Sequence, residues 1–162
     1  MKIGKALAEK KAAQNALARL MGERTRNFYY EKGKKPEVVL ADLEKKIRKQ
    51  VDKIRDLKLR VIYTNSVTRL ENGMSLQEAI IRLGDVRSEL DSYNGLLGLQ
   101  KYNQTVYVEG RAVSKEQLPQ IERNELLDRI EKMEAEKYQL DALIAKANST
   151  VDIGEKLPAG RR

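Results

Sequence analysis

Apolar residues recur along this chain at alternating spacings of three and four, which places them on one face of a helix. Four segments carry the pattern. The first runs from Ile3 to Arg26, with a stripe of Ile3, Leu7, Ala13, Leu17, Leu20 and Met21 padded by Ala6, Ala12 and Ala16. Alanine is the strongest helix former, so this segment has propensity as well as a face. Gly22 weakens its end. The second is expected to begin at Pro36, since a proline in the first turn gives up an N–H that would be unpaired there anyway. Its series is Leu40, Leu43, Ile47, Ile54, Leu57 and Val61, with Gln50 as the polar member. That reads as a coiled-coil-like seam of about three heptads. The third follows Asn72-Gly73, a turn signal, and opens with Ser75 and Glu78 at capping-box spacing. Ala79, Leu83, Val86, Leu90, Tyr93 and Leu97 continue it, and Gly95 and Gly98 mark its end. The fourth is expected to start at Leu118–Pro119. Its stripe is Leu126, Ile130, Met133, Leu140, Ile144 and Ala147, interrupted by Lys137, and the chain is expected to thin out after Asn148.

One segment has strand character. Thr105–Val108 is β-branched and aromatic, Glu109-Gly110 can turn, and Arg111–Val113 returns. A hairpin is marginal alone, so it is expected to pack on helices or pair with another chain. The predicted fold is mainly all-α: an elongated antiparallel bundle, or coiled-coil-like hairpins, of four long helices with a small β-hairpin insertion. Residues 1–153 form one helical domain in this reading, and 154–162 form a flexible basic tail. The stripes are narrower than a globular helix usually buries. Helices of a second copy are therefore expected against the seams, making the protein a homo-oligomer.

Charge changes this picture locally. The formal net charge of +8 is unevenly placed. Residues 1–35 carry ten bases and three acids, 155–162 carry a net +2, and the stretch between them has a net −1. The bundle is thus close to neutral, with one basic arm. The 162 residues include no His and no Cys. Imidazole general bases, serine–histidine triads, disulfides and thiolate metal sites are excluded. No catalytic constellation is visible among the remaining groups, and neither a metal nor a cofactor is expected. Apolar runs reach only four residues, as at Val38–Ala41, far short of the roughly 20 residues a spanning helix needs. A secretory signal is also missing, so a cytoplasmic protein without a transmembrane segment is expected.

Two polar segments are candidate sites. Arg24, Arg26, Lys32, Lys34 and Lys35 interleave with Phe28, Tyr29 and Tyr30, three of the chain's eight aromatics. Phosphate neutralisation and base stacking need that mixture, so the segment could bind nucleic acid. The competing reading is that Phe28 and one tyrosine close the end of the bundle while the lysines keep a loop soluble. Packing is the commoner use of aromatics at helix ends. The second candidate surrounds Asn65, Thr68 and Arg69. These residues could hold a small polar ligand or anion, or could satisfy free backbone groups between the second and third helices. Carboxylates such as Asp85, Glu89 and Asp91, or Glu131, Glu134 and Asp141, fit solvated helix faces.

The passage Val61-Ile62-Tyr63-Thr64-Asn65-Ser66-Val67-Thr68-Arg69-Leu70-Glu71-Asn72-Gly73-Met74-Ser75-Leu76-Gln77-Glu78-Ala79 resembles the helix–turn–helix of the septicolysin-like family of small bacterial proteins. Leu140-Asp141-Ala142-Leu143-Ile144-Ala145-Lys146-Ala147-Asn148 is similar to that family's last helix. The family has an Arg-Asp pair early in its third helix, where this chain has Gly84-Asp85. It ends its last helix on Asn-Trp, where this chain has Asn148-Ser149. The resemblance implies a helical architecture with a strand-like insertion. Its name implies a lytic, membrane-active protein, and it supplies no catalytic residue.

Overall fold

The computed structural model describes residues 1–99, 104–115 and 118–154. Four α-helices and one antiparallel hairpin follow in the order α1 (Ile3–Arg26), α2 (Leu40–Val67), α3 (Leu76–Leu97), β1 (Gln104–Val108), β2 (Arg111–Lys115) and α4 (Arg123–Thr150). The fold is mainly α with a small β-hairpin inserted between the third and fourth helices, as the apolar spacing predicts. The strand register pairs Val106 with Val113 and Tyr107 with Ala112. Glu109 and Gly110 have φ of 51° and 77°. Positive φ at both central residues is what a tight type I′ connection requires. Tyr107 and Val108 stand largely exposed.

Two helix starts and one ending correct the reading of the sequence. α2 starts at Leu40, not Pro36: Val39 is extended, and the first helical bonds run from Asp42 and Leu43 to its carbonyl. The consecutive β-branched residues Val38 and Val39 lose side-chain freedom in a helix, and continuing the helix through them gains little burial because Val39 is 54% exposed. α4 starts at Arg123, not Leu118–Pro119, and its opening bond runs from Leu126 N–H to the Glu122 carbonyl. Leu118 lies 74% exposed, so winding the helix back to it would bury no apolar surface. The chain also does not thin out after Asn148. α4 continues to Thr150, and Val151–Ile153 then pair with the N-terminus. Ile3 N–H donates to the Val151 carbonyl at 3.0 Å, and Ile153 N–H donates to the Met1 carbonyl at 2.8 Å. Gly154 is held as well, its carbonyl accepting from Arg60 Nε at 2.6 Å. The remainder of the expected tail, 155–162, lies outside the described residues.

The chain divides into two compact units, Met1–Glu78 with Leu143–Arg162, and Ala79–Ala142. In the first, α1 and α2 run antiparallel, with Lys53 Nζ 3.6 Å from Glu9 and Ile3 packed in one cluster with Leu57 and Val61. That cluster also contains Ala6, Leu76, Ala147 and Ile153. Gly4 lets the start of α1 come close to α4: a Cβ there would meet the Asn148 carbonyl oxygen at 3.1 Å. Further along the seam, Ala13, Leu43 and Ile47 are buried. In the second unit, Ala79, Leu83, Val86 and Leu90 of α3 are buried, as are Leu126, Ile130 and Leu140 of α4. Arg82 holds Glu136 through two parallel bonds of 2.6 and 2.9 Å, a geometry that fixes orientation as well as distance. Arg87 Nη2 donates to Asp141 Oδ1 at 2.9 Å further along. Lys137, which interrupts the α4 stripe, turns its ammonium over the Tyr138 ring at 4.7 Å.

Candidate functional site

The two polar segments singled out in the sequence lie at opposite ends of the α1–α2 pair, and their side chains are used in opposite ways.

At the α2–α3 junction nearly every polar group is engaged. The Thr68 N–H donates to the Thr64 carbonyl at 2.9 Å, and the Thr68 carbonyl accepts from Leu76 N–H at 2.9 Å. Asn72 Oδ1 accepts from Met74 N–H within the turn. The predicted capping box is formed in both directions. Glu78 Oε2 accepts from Ser75 N–H at 2.7 Å, and Ser75 Oγ accepts from Glu78 N–H at 3.1 Å. Arg69 Nη1 lies 3.5 Å from the same carboxylate. The Ser75 backbone N–H, then its hydroxyl, then Arg69 hold the Glu78 carboxyl below its ordinary range. Arg69 therefore serves the turn through its side chain, and Thr68 through its backbone groups. Asn65 differs. It sits one helical turn beyond Val61, is 8% exposed, and its Oδ1 has no hydrogen-bond partner among the described residues.

At the other end, α1 finishes at Arg26, and Asn27 closes it through N–H and Nδ2 bonds to the Glu23 carbonyl at 3.0 and 2.9 Å. Arg24 and Arg26 occupy the last turn, where the helix dipole favours cations. The connection that follows does not fold back on the helices. Phe28, Tyr29 and Tyr30 are 60%, 86% and 64% exposed. The expectation that Phe28 and a tyrosine close the bundle is therefore corrected. The physical reason is length: thirteen residues, 27–39, separate α1 from α2, and the seam beside them is already filled by Leu43 and Ile47. Phe28 and Tyr29 touch edge to face, with centroids 5.0 Å apart. Lys32, Lys34 and Lys35 are exposed, and Lys34 pairs with Glu31 at 2.6 Å. All eight residues of this candidate thus fall in one contiguous surface segment.

Reading the sequence as a single seam missed a second apolar series on α2. Leu59, Ile62, Tyr63 and Val67 follow at i, i+3, i+4 and i+8, and they are 45%, 48%, 43% and 55% exposed. They lie on a different face from the buried Leu57, Val61 and Thr64. Counting both series through residues 54–67 would have shown it, since that stretch is apolar on more than one side.

Among the described residues no cluster of three or more acidic side chains could hold a metal ion. Glu136 and Asp152 are held below their ordinary range, Glu136 by Arg82 and Asp152 first by Lys2 and then by the Met1 ammonium. A general acid needs a shift in the other direction. No described helix is long and apolar enough to cross a membrane.

The chain matches a family described as a family of unknown function (DUF6847) over residues 10–153, and it belongs to that family. A crystal structure of a functionally unknown conserved protein from Corynebacterium diphtheriae has the same fold. Its TM-score is 0.75 at 21% identity, with 95% of this chain and 99% of that one covered. No curated protein matches. These matches speak to the fold and leave the septicolysin-like resemblance where the sequence put it.

Proposed function

We propose that this member of DUF6847 is a non-catalytic helical protein that acts through self-association, with the outward face of α2 as the contact surface. The observation that carries the reading is the row Leu59, Ile62, Tyr63 and Val67, apolar at helical spacing and about half exposed. Scattered exposed apolar residues are ordinary, but a continuous helical row of them is a mark of an interaction surface. A two-fold contact must complement itself. An antiparallel crossing centred on Ile62–Tyr63 would set each of these two residues against the other in the second copy, apolar on apolar. The narrow seams of the other helices support the same reading.

Light scattering tests it. The expected result is a mass above the 18.5 kDa of one chain at protein concentrations on the order of tens of micromolar, where a micromolar contact is populated. Ile62→Glu with Tyr63→Glu, which sets like charges against each other across the two-fold, is expected to return the monomer while leaving helix content unchanged. A strict monomer for the wild type at that concentration overturns the proposal. An assembly unaffected by the double substitution removes this face as its surface.

A further inference from the structure

We infer that the tip of the α1–α2 pair is a binding site for single-stranded nucleic acid. The inference goes beyond self-association and uses the opposite end of α2 from the proposed contact face.

The tip combines two features that one ligand chemistry explains together. The first is three consecutive aromatic rings, Phe28, Tyr29 and Tyr30, each at least 60% exposed. Burying such rings is a large gain that this chain forgoes. The edge-on contact of Phe28 with Tyr29, at 88° between planes, covers one face of one ring and leaves the others open. The second is positive charge. Arg24, Arg26, Lys32, Lys34 and Lys35 meet one acid, Glu31, within residues 24–35. Tertiary structure enlarges this field. Because α1 and α2 are antiparallel, the first turns of α2 return to the same end, and their exposed Lys45, Lys46, Arg48 and Lys49 join the arm. Glu37, Asp42 and Glu44 are the acids there, and Asp42 is 3.5 Å from Lys45. Across residues 36–49 these four bases outnumber the three acids by one.

Exposed rings stack on unpaired bases, and the surrounding cations neutralise the phosphates between them. A duplex satisfies only the cations, because its bases already stack on each other. An anionic membrane is the other surface that takes aromatics with lysines. Interfacial binding scales with buried apolar area, and in the segment between the rings and α2, residues 31–39, the aliphatics are Val38 and the half-exposed Val39, eight and nine residues beyond Tyr30 and separated from the rings by Lys32, Lys34, Lys35 and two acids. The chemistry favours the single strand. The loop can also reshape around a flexible ligand, since its own ties are local, such as Lys34 N–H to the Glu31 carbonyl at 3.0 Å.

The test is fluorescence anisotropy of the full chain with labelled oligothymidylate, the matching duplex, and vesicles containing phosphatidylserine. Binding to the single strand is expected at low salt. With about five phosphate contacts, affinity should fall roughly a hundredfold between about 50 and 200 mM salt. Replacing Phe28, Tyr29 and Tyr30 together with Ala should weaken binding at least about tenfold and leave the salt slope unchanged. Replacing Lys32, Lys34 and Lys35 together with Gln should lower the slope by about two. Circular dichroism of both variants should match the wild type, because all six residues are exposed. No binding at low salt overturns the inference, as does equal binding of the aromatic variant. Equal affinity for the duplex removes the stacking role. Binding to vesicles alone assigns the tip to a membrane surface instead.

Discussion

The two ends of the α1–α2 pair look alike in sequence. Each is a polar stretch with hydrogen-bonding or charged side chains between two apolar stripes. In the structure they differ in what the fold requires of them. At the α2–α3 junction the side chains of Ser75, Glu78, Arg69 and Asn72 are occupied with one another or with free backbone groups, and Thr68 closes the turn through its backbone. At the α1–α2 tip the rings point to solvent, and Lys34 is the loop lysine that has a carboxylate partner among the described residues. A side chain that completes a turn is not free to bind anything else. The tip is the better place to look for a ligand because its residues do little for the fold.

That contrast can be broken by substitution. The largest expected effect is at the occupied end. Leu76 is fully buried in the core cluster beside the capping box, and Leu76→Ala should cost about 2–5 kcal/mol in chemical denaturation. Gly4→Val comes next. The neighbour is a backbone carbonyl of α4 that cannot rotate away, so a loss of about 1–3 kcal/mol is expected. Ser75→Ala removes one arm of the capping box and should cost about 1 kcal/mol. A stability near that of the wild type for Leu76→Ala and Ser75→Ala would show that the junction is not held as described, and for Gly4→Val that α1 does not approach α4 at Asn148.

A smaller effect should appear with pH. The Glu78, Glu136 and Asp152 carboxyls titrate below their ordinary values of 4.5, 4.5 and 3.8 when folded. A lowered carboxyl favours the folded state above the unfolded pKa, and that contribution is lost as pH falls through the folded one. The thermal midpoint of the wild type should therefore drop below about pH 4.5. Glu78→Gln should start lower at neutral pH and drop less on acidification. Parallel curves for the two proteins would contradict the assigned contacts. The smallest effect is at the tip. The combined Ala substitution of Phe28, Tyr29 and Tyr30 should change stability by no more than about 0.5 kcal/mol. A loss comparable to that of Leu76→Ala would show that these rings pack after all.

Much of the fold is legible in the sequence because periodicity records it directly. Ile3–Arg26 matches α1 at both ends, and the Ser75–Glu78 spacing marks the start of α3. The hairpin turn is readable from Glu109-Gly110 between strand-forming residues. Helix starts at Pro36 and Pro119 were misplaced because proline allows a first turn without requiring one. Whether the helix begins there depends on what the next turn would bury. The pairing of Ile3 with Val151 and Ile153 with Met1 was not readable at all, since it joins residues nearly a whole chain apart.

For the candidate sites the division is sharper. Sequence alone determined which residue types stand together at 24–35 and at 65–69, because adjacency along the chain is covalent. It could not determine whether those groups are occupied, because occupancy depends on neighbours brought close by packing. Burial of Leu57 and Val61 against Ile3 and Ala6 was decided by the antiparallel docking of α1 on α2, and exposure of Phe28–Tyr30 by the long connection between the two helices. The outward row on α2 was decided in the same way: a helix with two apolar faces buries the one its partner covers, and only the docked helix shows which face remains.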